Sequence, residues 1–363
     1  MGKIMTVLGE IDSNDLGFTS MHDHILVDTS YYNDIYGAII PNIGEEKLVV
    51  RCQNITYLKK GYFGLSHDSL CLDDVDLASE EISYFKNAGG SSILEVSPGG
   101  IRGNIEDMKK VSENTGVNII VSAGYYGEGS WPEGFVYKSI DELQAHIEKE
   151  IYEGIDGTDI KAGHVKIACN SLSETEEKAL RAGARAAKKA GLTITVHTGL
   201  GMPFSDTIKM AKIVVEEEGV NPKKVVMAHV DQYILKTLDL KEYILNHESA
   251  TELQIDEVKI LLDMGVTISF DTFGATWGLE VIGKYLLNDY DRVRGLLPLI
   301  QAGYSKQIVL GTDMFVKFCY RKYGGDGYAA ILESIIPLLK MFEVSDEDIQ
   351  NMTVNNPARL LEY

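Results

Sequence analysis

The sequence predicts an α/β protein, specifically a single (β/α)8 barrel of the TIM type with long βα loops at its C-terminal face. Short runs of apolar and β-branched residues recur eight times along the chain, and most are followed by a segment with a helical pattern and helix-end signals. Strands that alternate with helices form parallel sheets, and eight such units are the number that closes into a barrel.

Each predicted strand is a short apolar run, as expected for strands that are buried on both faces of a parallel sheet. The eight runs span residues 17–22, 92–96, 117–121, 163–167, 192–196, 224–228, 266–270 and 307–311.

Helix-end signals mark the segments between the strands. Ser139 precedes Glu142, and Ser173 precedes Glu176, by the spacing of a capping box, in which hydroxyl and carboxylate each accept from a backbone N–H of the first turn. Three predicted helices, over residues 74–88, 174–190 and 255–264, are each followed by a glycine. Glycine commonly ends helices because it adopts the left-handed conformation without a steric penalty.

Two connections are longer than a barrel needs. Residues 25–73, after the first strand, are aromatic and polar, and residues 231–254, after the sixth, include an extra helical piece. Loops that follow barrel strands lie on the active-site face, so both are candidate lids or partner surfaces. The chain contains no internal repeat, low-complexity tract or linker, and residues 1–363 are therefore predicted to form one domain.

Composition narrows the class of partner. Hydrophobic residues make up 45% of the chain, and 24% of the residues are charged, which is typical of a soluble globular protein. No apolar run reaches the roughly 20 residues of a membrane span, and the first residues lack the features of a secretory signal. We therefore expect a cytoplasmic protein without a membrane partner. A formal net charge of -20 argues against nucleic acid and favours a small-molecule partner.

The cysteines carry no recognisable motif. The chain has four, and none are spaced as Cys-x-x-Cys. This spacing argues against a zinc–thiolate site or a disulfide framework.

Six residues of types that bind or bridge metal ions fall at the ends of five predicted strands. They are His22, His24, Lys166, His197, His229 and Asp313. Each has an ordinary alternative explanation, such as a core histidine bonded to a backbone carbonyl or an aspartate that caps a helix. Their joint occurrence at the face where barrels assemble active sites predicts a metal centre.

Lys166 is the unusual member of this set. A protonated amine beside two dications would be repelled, whereas reaction with carbon dioxide converts it to a carbamate anion that can bridge both ions. Four imidazoles, one carboxylate and such a lysine suit two divalent ions rather than one. The residual positive charge of this site favours an oxyanion.

The pattern resembles the phosphotriesterase-like branch of the amidohydrolase superfamily. The resemblance runs from Thr6-Val-Leu-Gly-Glu, through the segment that ends Val-Leu-Gly-Thr-Asp313, to Asn356-Pro-Ala-Arg-Leu-Leu361. It implies that His22, His24 and Asp313 bind the more buried ion.

The same resemblance assigns the remaining positions. His197 and His229 would bind the more exposed ion, and carboxylated Lys166 would bridge the two. The resemblance also implies zinc as the expected metal, with manganese, cobalt or nickel as substitutes, and a homodimer.

The implied reaction is hydrolysis by a hydroxide that bridges the two ions. Asp313 is the predicted proton shuttle, and Asp231, two residues past His229, is predicted to pass that proton to solvent. Asp231 fits equally well as a loop aspartate that caps the next turn.

The metal centre does not fix the substrate. Tyr126 falls where lactonases of this branch place a tyrosine at the substrate pocket, whereas dedicated phosphotriesterases carry a tryptophan there. We therefore expect hydrolysis of a lactone or carboxylic ester, although Tyr126 also fits as a residue packed under the first long loop. Phosphotriester, phosphoester or amide hydrolysis are the alternative reactions, and a non-catalytic metal-binding barrel is the non-enzymatic alternative.

A basic cluster follows the predicted metal aspartate. Lys317, Arg321 and Lys322 stand close together in an otherwise acidic chain, and we hypothesise that they hold an anionic substrate tail, with a solvated loop as the alternative. The surrounding segment resembles the Tyr-Gly-Gly-x-Gly-Tyr segment of phosphotriesterase-related proteins. Those proteins usually carry a glutamate at the bridging position, where this chain has Lys166.

Overall fold

A computed structural model describes residues 2–363 and contains the eight predicted strands as one parallel sheet. In chain order the strands are β1 (Thr19–Asp23), β2 (Ser92–Glu95), β3 (Asn118–Tyr125), β4 (His164–Cys169), β5 (Ile194–Thr198), β6 (Val225–Met227), β7 (Thr267–Phe270) and β8 (Ile308–Leu310). Each strand pairs with the next along the chain, so the order in the sheet is the order in the sequence.

The two edge strands of this sheet meet, and the sheet curves round into a barrel. The backbone N–H groups of Thr312 and Asp313, just past β8, donate to the carbonyl of His22 in β1 at 3.2 and 2.9 Å. The predicted (β/α)8 barrel is therefore confirmed. The contact that brings β8 to β1 also brings Asp313 to His22.

A helix follows every barrel strand. The eight helices are α1 (Val75–Asn87), α2 (Ile105–Thr115), α3 (Ile140–Tyr152), α4 (Glu174–Ala190), α5 (Phe204–Lys212), α6 (Ile255–Asp263), α7 (Asp289–Gln301) and α8 (Ile336–Met341). Both predicted capping boxes are present, at Ser139 of α3 and Ser173 of α4, and Gly191 ends α4 with a φ of 72°. Helices α3 and α4 each begin where a serine cap satisfies a backbone N–H group of the first turn.

The barrel has its own core, which is separate from the larger core under the helices. Leu94, Ile120, Val226 and Val309 come from β2, β3, β6 and β8 and form one buried cluster with Ile4. Since β2 and β3 are not neighbours of β6 or β8 in the sheet, these contacts run across the barrel interior. Ile4 belongs to an N-terminal hairpin, Lys3–Thr6 with Gly9–Asp12, which covers the end of the barrel opposite the predicted metal centre.

Both long loops contribute to the face at the carboxyl ends of the strands. The first contains three short helices, Tyr32–Gly37, Ile55–Leu58 and His67–Leu70, and its ends pair as a small ribbon, Val27–Asp28 with Cys71–Leu72. The loop after β6 contains Leu240–Leu245 and His247–Ala250. No helix of the described residues has the length and apolar character required to cross a lipid bilayer.

β3 exceeds its predicted length by more than any other strand. β3 extends to Tyr125 instead of ending at residue 121, because residues 122–125 pair with β4. At Gly124, opposite Lys166, φ is 129°, and a Cβ atom there would lie 2.0 Å from the Lys166 carbonyl oxygen. Only glycine allows this approach of β3 to the strand that carries Lys166.

Replacing Gly124 with alanine should therefore destabilise the barrel. We expect Gly124→Ala to lower the free energy of unfolding by about 2–4 kcal/mol, from the steric overlap together with the unfavourable φ. Urea unfolding followed by circular dichroism measures this. Gly116→Ala is the matched control, because Gly116 has a φ of 65° but nothing within 4 Å of its added Cβ, so its cost should be about 1 kcal/mol. Equal effects of the two substitutions would contradict the steric explanation.

Candidate metal centre

The six predicted ligands meet at the carboxyl end of the barrel. His22 lies in β1 with His24 just beyond it, Lys166 lies in β4, and His197 lies in β5. His229 follows β6 by two residues, and Asp313 follows β8 by three. All six side chains are buried, which is costly for such polar groups unless they share partners.

The ligand-type atoms lie within contact distance of one another. Lys166 Nζ is 2.9 Å from His22 Nε2, and His229 Nε2 is 2.8 Å from His197 Nδ1. Asp313 Oδ1 is 3.5 Å from His22 Nε2 and 3.3 Å from His24 Nε2. The structure thus brings all six predicted residues together in two groups. His22, His24, Lys166 and Asp313 are linked by successive contacts, and His197 contacts His229.

The outer nitrogens of three imidazoles face oxygen atoms that fix the rings. Asp271 Oδ1 accepts from His229 Nδ1 at 2.7 Å, and its Oδ2 lies 2.9 Å from His22 Nδ1, although that contact is not aligned as a hydrogen bond. Ser97 Oγ lies 2.7 Å from His24 Nδ1 and itself donates to Glu95. With protons on these outer nitrogens, the Nε2 atoms present their lone pairs to the centre, as metal-ligating histidines do.

Two of the ligand positions adopt an unusual backbone conformation. His229 has a φ of 57° and Asp313 a φ of 47°, in the left-handed region that non-glycine residues rarely enter. The His229 N–H donates to both oxygens of Asp271 at 3.1 Å, which holds the turn. Such strain costs about 1–3 kcal/mol and persists where the surrounding structure enforces it, commonly at functional sites.

Burial favours the neutral forms of His22 and Lys166, which are the forms that can bind a metal ion or react with carbon dioxide. Burial, together with the Lys166 charge, lowers the pKa of His22 to about 3, so its imidazole is neutral. Burial also lowers the pKa of Lys166 to about 8. Although burial acts in the opposite direction, the hydrogen bond with His24 and the charges of the neighbouring histidines lower the pKa of Asp313 to about 2. Burial acts against it, but the Asp271 charge and hydrogen bond raise the pKa of His229. The neutral imidazole of His22 beside the ionised carboxylate of Asp313 provides suitable ligands for a divalent cation.

The donor set fits the metal group that the family pattern implies. The ligand-type atoms of His22, His229 and Asp313 all lie within 4.8 Å of one another, so residues implied for the two different ions are as close together as ligands of a metal centre. Nitrogen and oxygen donors of this kind suit zinc and also manganese, cobalt or nickel.

Asp231 lies in a buried ion pair. Its Oδ2 accepts from Arg292 Nε of α7 at 2.7 Å and from Thr272 Oγ1 at 2.6 Å. Burial raises the pKa of Asp231, although the Arg292 charge opposes this shift. Asp231, Thr272 and Arg292 all line the cavity beside the metal centre.

A cavity of about 310 Å³ opens at the metal centre, and aromatic side chains form much of its wall. Tyr126 lies there, with its ring centroid 5.2 Å from that of His197 and its hydroxyl 3.3 Å from that of Tyr32. Six aromatic residues of the cavity wall form what we call the aromatic roof. They are Tyr32, Tyr36, Phe63, Tyr126, Trp277 and Phe315.

The basic cluster predicted to hold an anionic tail is not brought to this cavity. Lys317 Nζ pairs with Asp68 Oδ1 at 2.7 Å, and Arg321 pairs with Glu333. Lys322 is exposed, and none of the three is part of the cavity wall. The positive charges of Lys317 and Arg321 are thus largely balanced by nearby carboxylates.

Sequence reasoning missed Asp271 and Arg292. Asp271 directly follows β7, so its position at a strand end was the signal that could have marked it. Arg292 is the fourth residue of α7, and no local motif distinguishes it.

Removing the Asp271 carboxylate should loosen the metal centre. In Asp271→Asn the amide keeps only one acceptor oxygen and no negative charge, so it cannot hold His229 and also face His22 as the carboxylate does, and we expect zinc affinity to fall about 10- to 100-fold. Competition with a chromogenic chelator measures this. Asp289→Asn is the matched control, because Asp289 accepts from Gly274 N at 3.1 Å without touching an imidazole. Affinity losses of equal size in the two variants would contradict the orienting role of Asp271.

Known proteins are similar to this chain over nearly its whole length. The family model described as the phosphotriesterase family matches residues 2–361. An N-acetyltaurine hydrolase from Dictyostelium discoideum is 30% identical in sequence, over 99% of this chain and 98% of that protein.

Two solved structures extend this comparison. A resiniferatoxin-binding protein from Rhodobacter sphaeroides superposes with a TM-score of 0.84 at 28% identity, over 99% of this chain and 95% of that one. A lactonase from Listeria monocytogenes shares the fold with a TM-score of 0.75 at 22% identity, over 99% of both chains. Since the family match leaves only the outermost residues uncovered, the chain belongs to the phosphotriesterase family.

Proposed function

We propose that this chain is a metal-dependent hydrolase that cleaves the amide bond of a small N-acyl compound with an anionic group. The observation that carries the proposal is the convergence of six buried ligand-type residues at the carboxyl ends of the strands, four of which, His24, His197, His229 and Asp313, line one cavity. The choice of an amide over the expected lactone or ester rests on the full-length relatives, which are N-acetyltaurine hydrolases. An amide hydrolase was among the alternatives that the sequence left open.

Each residue of the centre has a role in this proposal. His22, His24 and Asp313 would hold one divalent ion, and His197 and His229 a second. When bound, such ions acidify a water molecule and polarise the carbonyl oxygen of the substrate. Asp313 would accept the proton of the attacking water and deliver it to the leaving nitrogen, because an amine leaves as a neutral molecule only after protonation.

Lys166 would bridge the two ions as a carbamate. In carbamate formation the amine nitrogen bonds to the carbon of carbon dioxide and releases one proton, so the amine must first be neutral. Because burial lowers the pKa of Lys166 to about 8, the neutral fraction near neutral pH is far larger than for an exposed lysine.

Arg292 supports an anionic substrate. Among residues 2–363 it is the one arginine or lysine side chain in the cavity wall. Its Nε bonds to Asp231, and its Nη1 donates to the Leu287 carbonyl, which leaves Nη2 as the edge of the guanidinium for an oxyanion. A cavity of about 310 Å³ is at the small end of ligand pockets, which suits a compact molecule such as N-acetyltaurine, the amide of acetate and an aminosulfonate.

Lactone or ester hydrolysis is the second candidate. It is favoured by Tyr126, whose ring lies beside His197 at the position that the lactonase resemblance assigns to a substrate-contacting tyrosine. An ester or lactone needs no protonation of a leaving nitrogen and is chemically easier to cleave, so a centre built for amides can also hydrolyse it at a lower specificity.

A substrate panel distinguishes these reactions. With metal-reconstituted protein we expect kcat/KM for N-acetyltaurine to exceed that for neutral N-acetylethanolamine at least 10-fold, because only the sulfonate can accept a charge-assisted hydrogen bond from Arg292 Nη2. We expect lactones and a paraoxon-type phosphotriester to react more slowly than N-acetyltaurine. Specificity for a lactone above both amides would favour the second candidate, and equal values for the two amides would remove the role of Arg292.

Substitutions of Lys166 test the bridge. Metal uptake by the metal-free wild type should increase with added bicarbonate, whereas Lys166→Glu supplies a carboxylate directly and should take up metal independently of bicarbonate. Lys166→Ala should bind at least one ion per chain fewer than the wild type and lose hydrolysis by at least 100-fold. Elemental analysis of each protein after gel filtration measures the metal content. Equal metal content in Lys166→Ala and the wild type, or no bicarbonate effect in the wild type, would contradict the carbamate bridge.

A further inference from the structure

The base of the first long loop brings together three side chains that the proposed reaction does not use. Asp28, His67 and Cys71 each place one ligand-type atom within 4.8 Å of the other two. Two short strands and a helical turn bring them together. Asp28 and Cys71 are paired residues of the ribbon, and His67 begins the helix His67–Leu70 that leads into Cys71.

The backbone around these residues is held by hydrogen bonds. The Cys71 N–H donates to the His67 carbonyl, and Thr29 donates to the Leu70 carbonyl through its N–H at 2.9 Å and its hydroxyl at 3.0 Å. The backbone positions of the three residues are therefore set by the fold, so a cation would meet a partly organised site.

We propose that Asp28, His67 and Cys71 form a separate binding site for a divalent cation of the zinc class. A thiolate, an imidazole and a carboxylate are the three ligand types that zinc accepts in proteins. Asp73, whose negative charge also acts on the Cys71 thiol, adds a further carboxylate near this site. On binding, a sulfur–metal bond forms and the thiol proton is released to solvent.

The charges around Cys71 favour a cation. Burial and the negative charges of Asp28 and Asp73 raise the pKa of the Cys71 thiol to about 11, while Lys317 acts in the opposite direction. The Lys317 ammonium is 2.7 Å from Asp68 and is largely neutralised there. A dication reverses the effect of the two carboxylates on the thiol, because it stabilises the thiolate directly.

The position of the site at the base of the first long loop means that a bound ion would stabilise this loop. Residues 28 and 71 are the two ends of the loop that carries Tyr32, Tyr36 and Phe63 of the aromatic roof. A metal ion bound there would close this long loop at its base, where a cross-link removes much of the chain's conformational freedom. The ion would stabilise the roof without contacting the substrate.

Cobalt substitution tests the proposal. The catalytic centre offers nitrogen and oxygen donors, so a sulfur-to-cobalt charge-transfer band reports on a cysteine ligand alone. With reductant present and up to three equivalents of cobalt per full-length chain, we expect this band in the wild type and in Cys52→Ser, whose cysteine is exposed in the same loop. It should be absent in Cys71→Ser, and His67→Ala should need at least 10-fold more cobalt. A wild type without the band, or a band that survives in Cys71→Ser, would overturn the site.

A second measurement requires no variant. Zinc should slow alkylation of Cys71 by iodoacetamide at least 10-fold while leaving Cys52 unaffected, as measured by peptide mass spectrometry. Zinc should also slow tryptic cleavage at Lys47, Arg51, Lys59 and Lys60 within the loop. Equal Cys71 alkylation rates with and without zinc would overturn the proposal even if Cys71→Ser failed to fold.

Discussion

The geometry of the candidate metal centre depends on the contacts of one buried carboxylate, that of Asp271. It contacts the outer nitrogens of His22 and His229, which come from the first and sixth strands, and it also holds the left-handed turn at His229 through the backbone. One side chain thereby fixes a ligand of each implied ion. Its own burial is tolerable because its negative charge is shared with the two imidazoles, which hold the pKa of Asp271 far below its ordinary value against the effect of burial.

The strand ends and the loops contribute different parts of the candidate site. The strand ends supply the ligand-type residues, whereas the loops supply the aromatic roof that encloses the cavity. The pair Asp231–Arg292 lies at the boundary, since it is buried and mutually neutralised yet faces the space where a substrate would be held. The arginine can therefore contribute a directed hydrogen-bond donor without placing a full uncompensated charge next to the metal ligands.

Local signals in the sequence predict most of the fold and the ligand set. β-branched runs and capping boxes act within a few neighbouring residues, so they are readable without a structure, as at Ser139 and Ser173. The anion-binding assignment of Lys317 and Arg321 could not be judged in this way, because their partners Asp68 and Glu333 are brought near only by folding. The same holds for Arg292, which no local motif distinguishes, and for the Asp28–His67–Cys71 cluster, which has no Cys-x-x-Cys spacing.

The separation of roof from ligands has an evolutionary consequence. Tyr32, Tyr36, Phe63 and Trp277 belong to surface segments that can accept insertions and replacements, whereas the imidazoles and Asp313 are fixed by the geometry of the closed sheet. Exchange of a roof segment can reshape the enclosed volume while the hydrolytic apparatus stays in place. A barrel built in this way can diversify towards new compounds through its variable segments, at little risk to the chemistry itself.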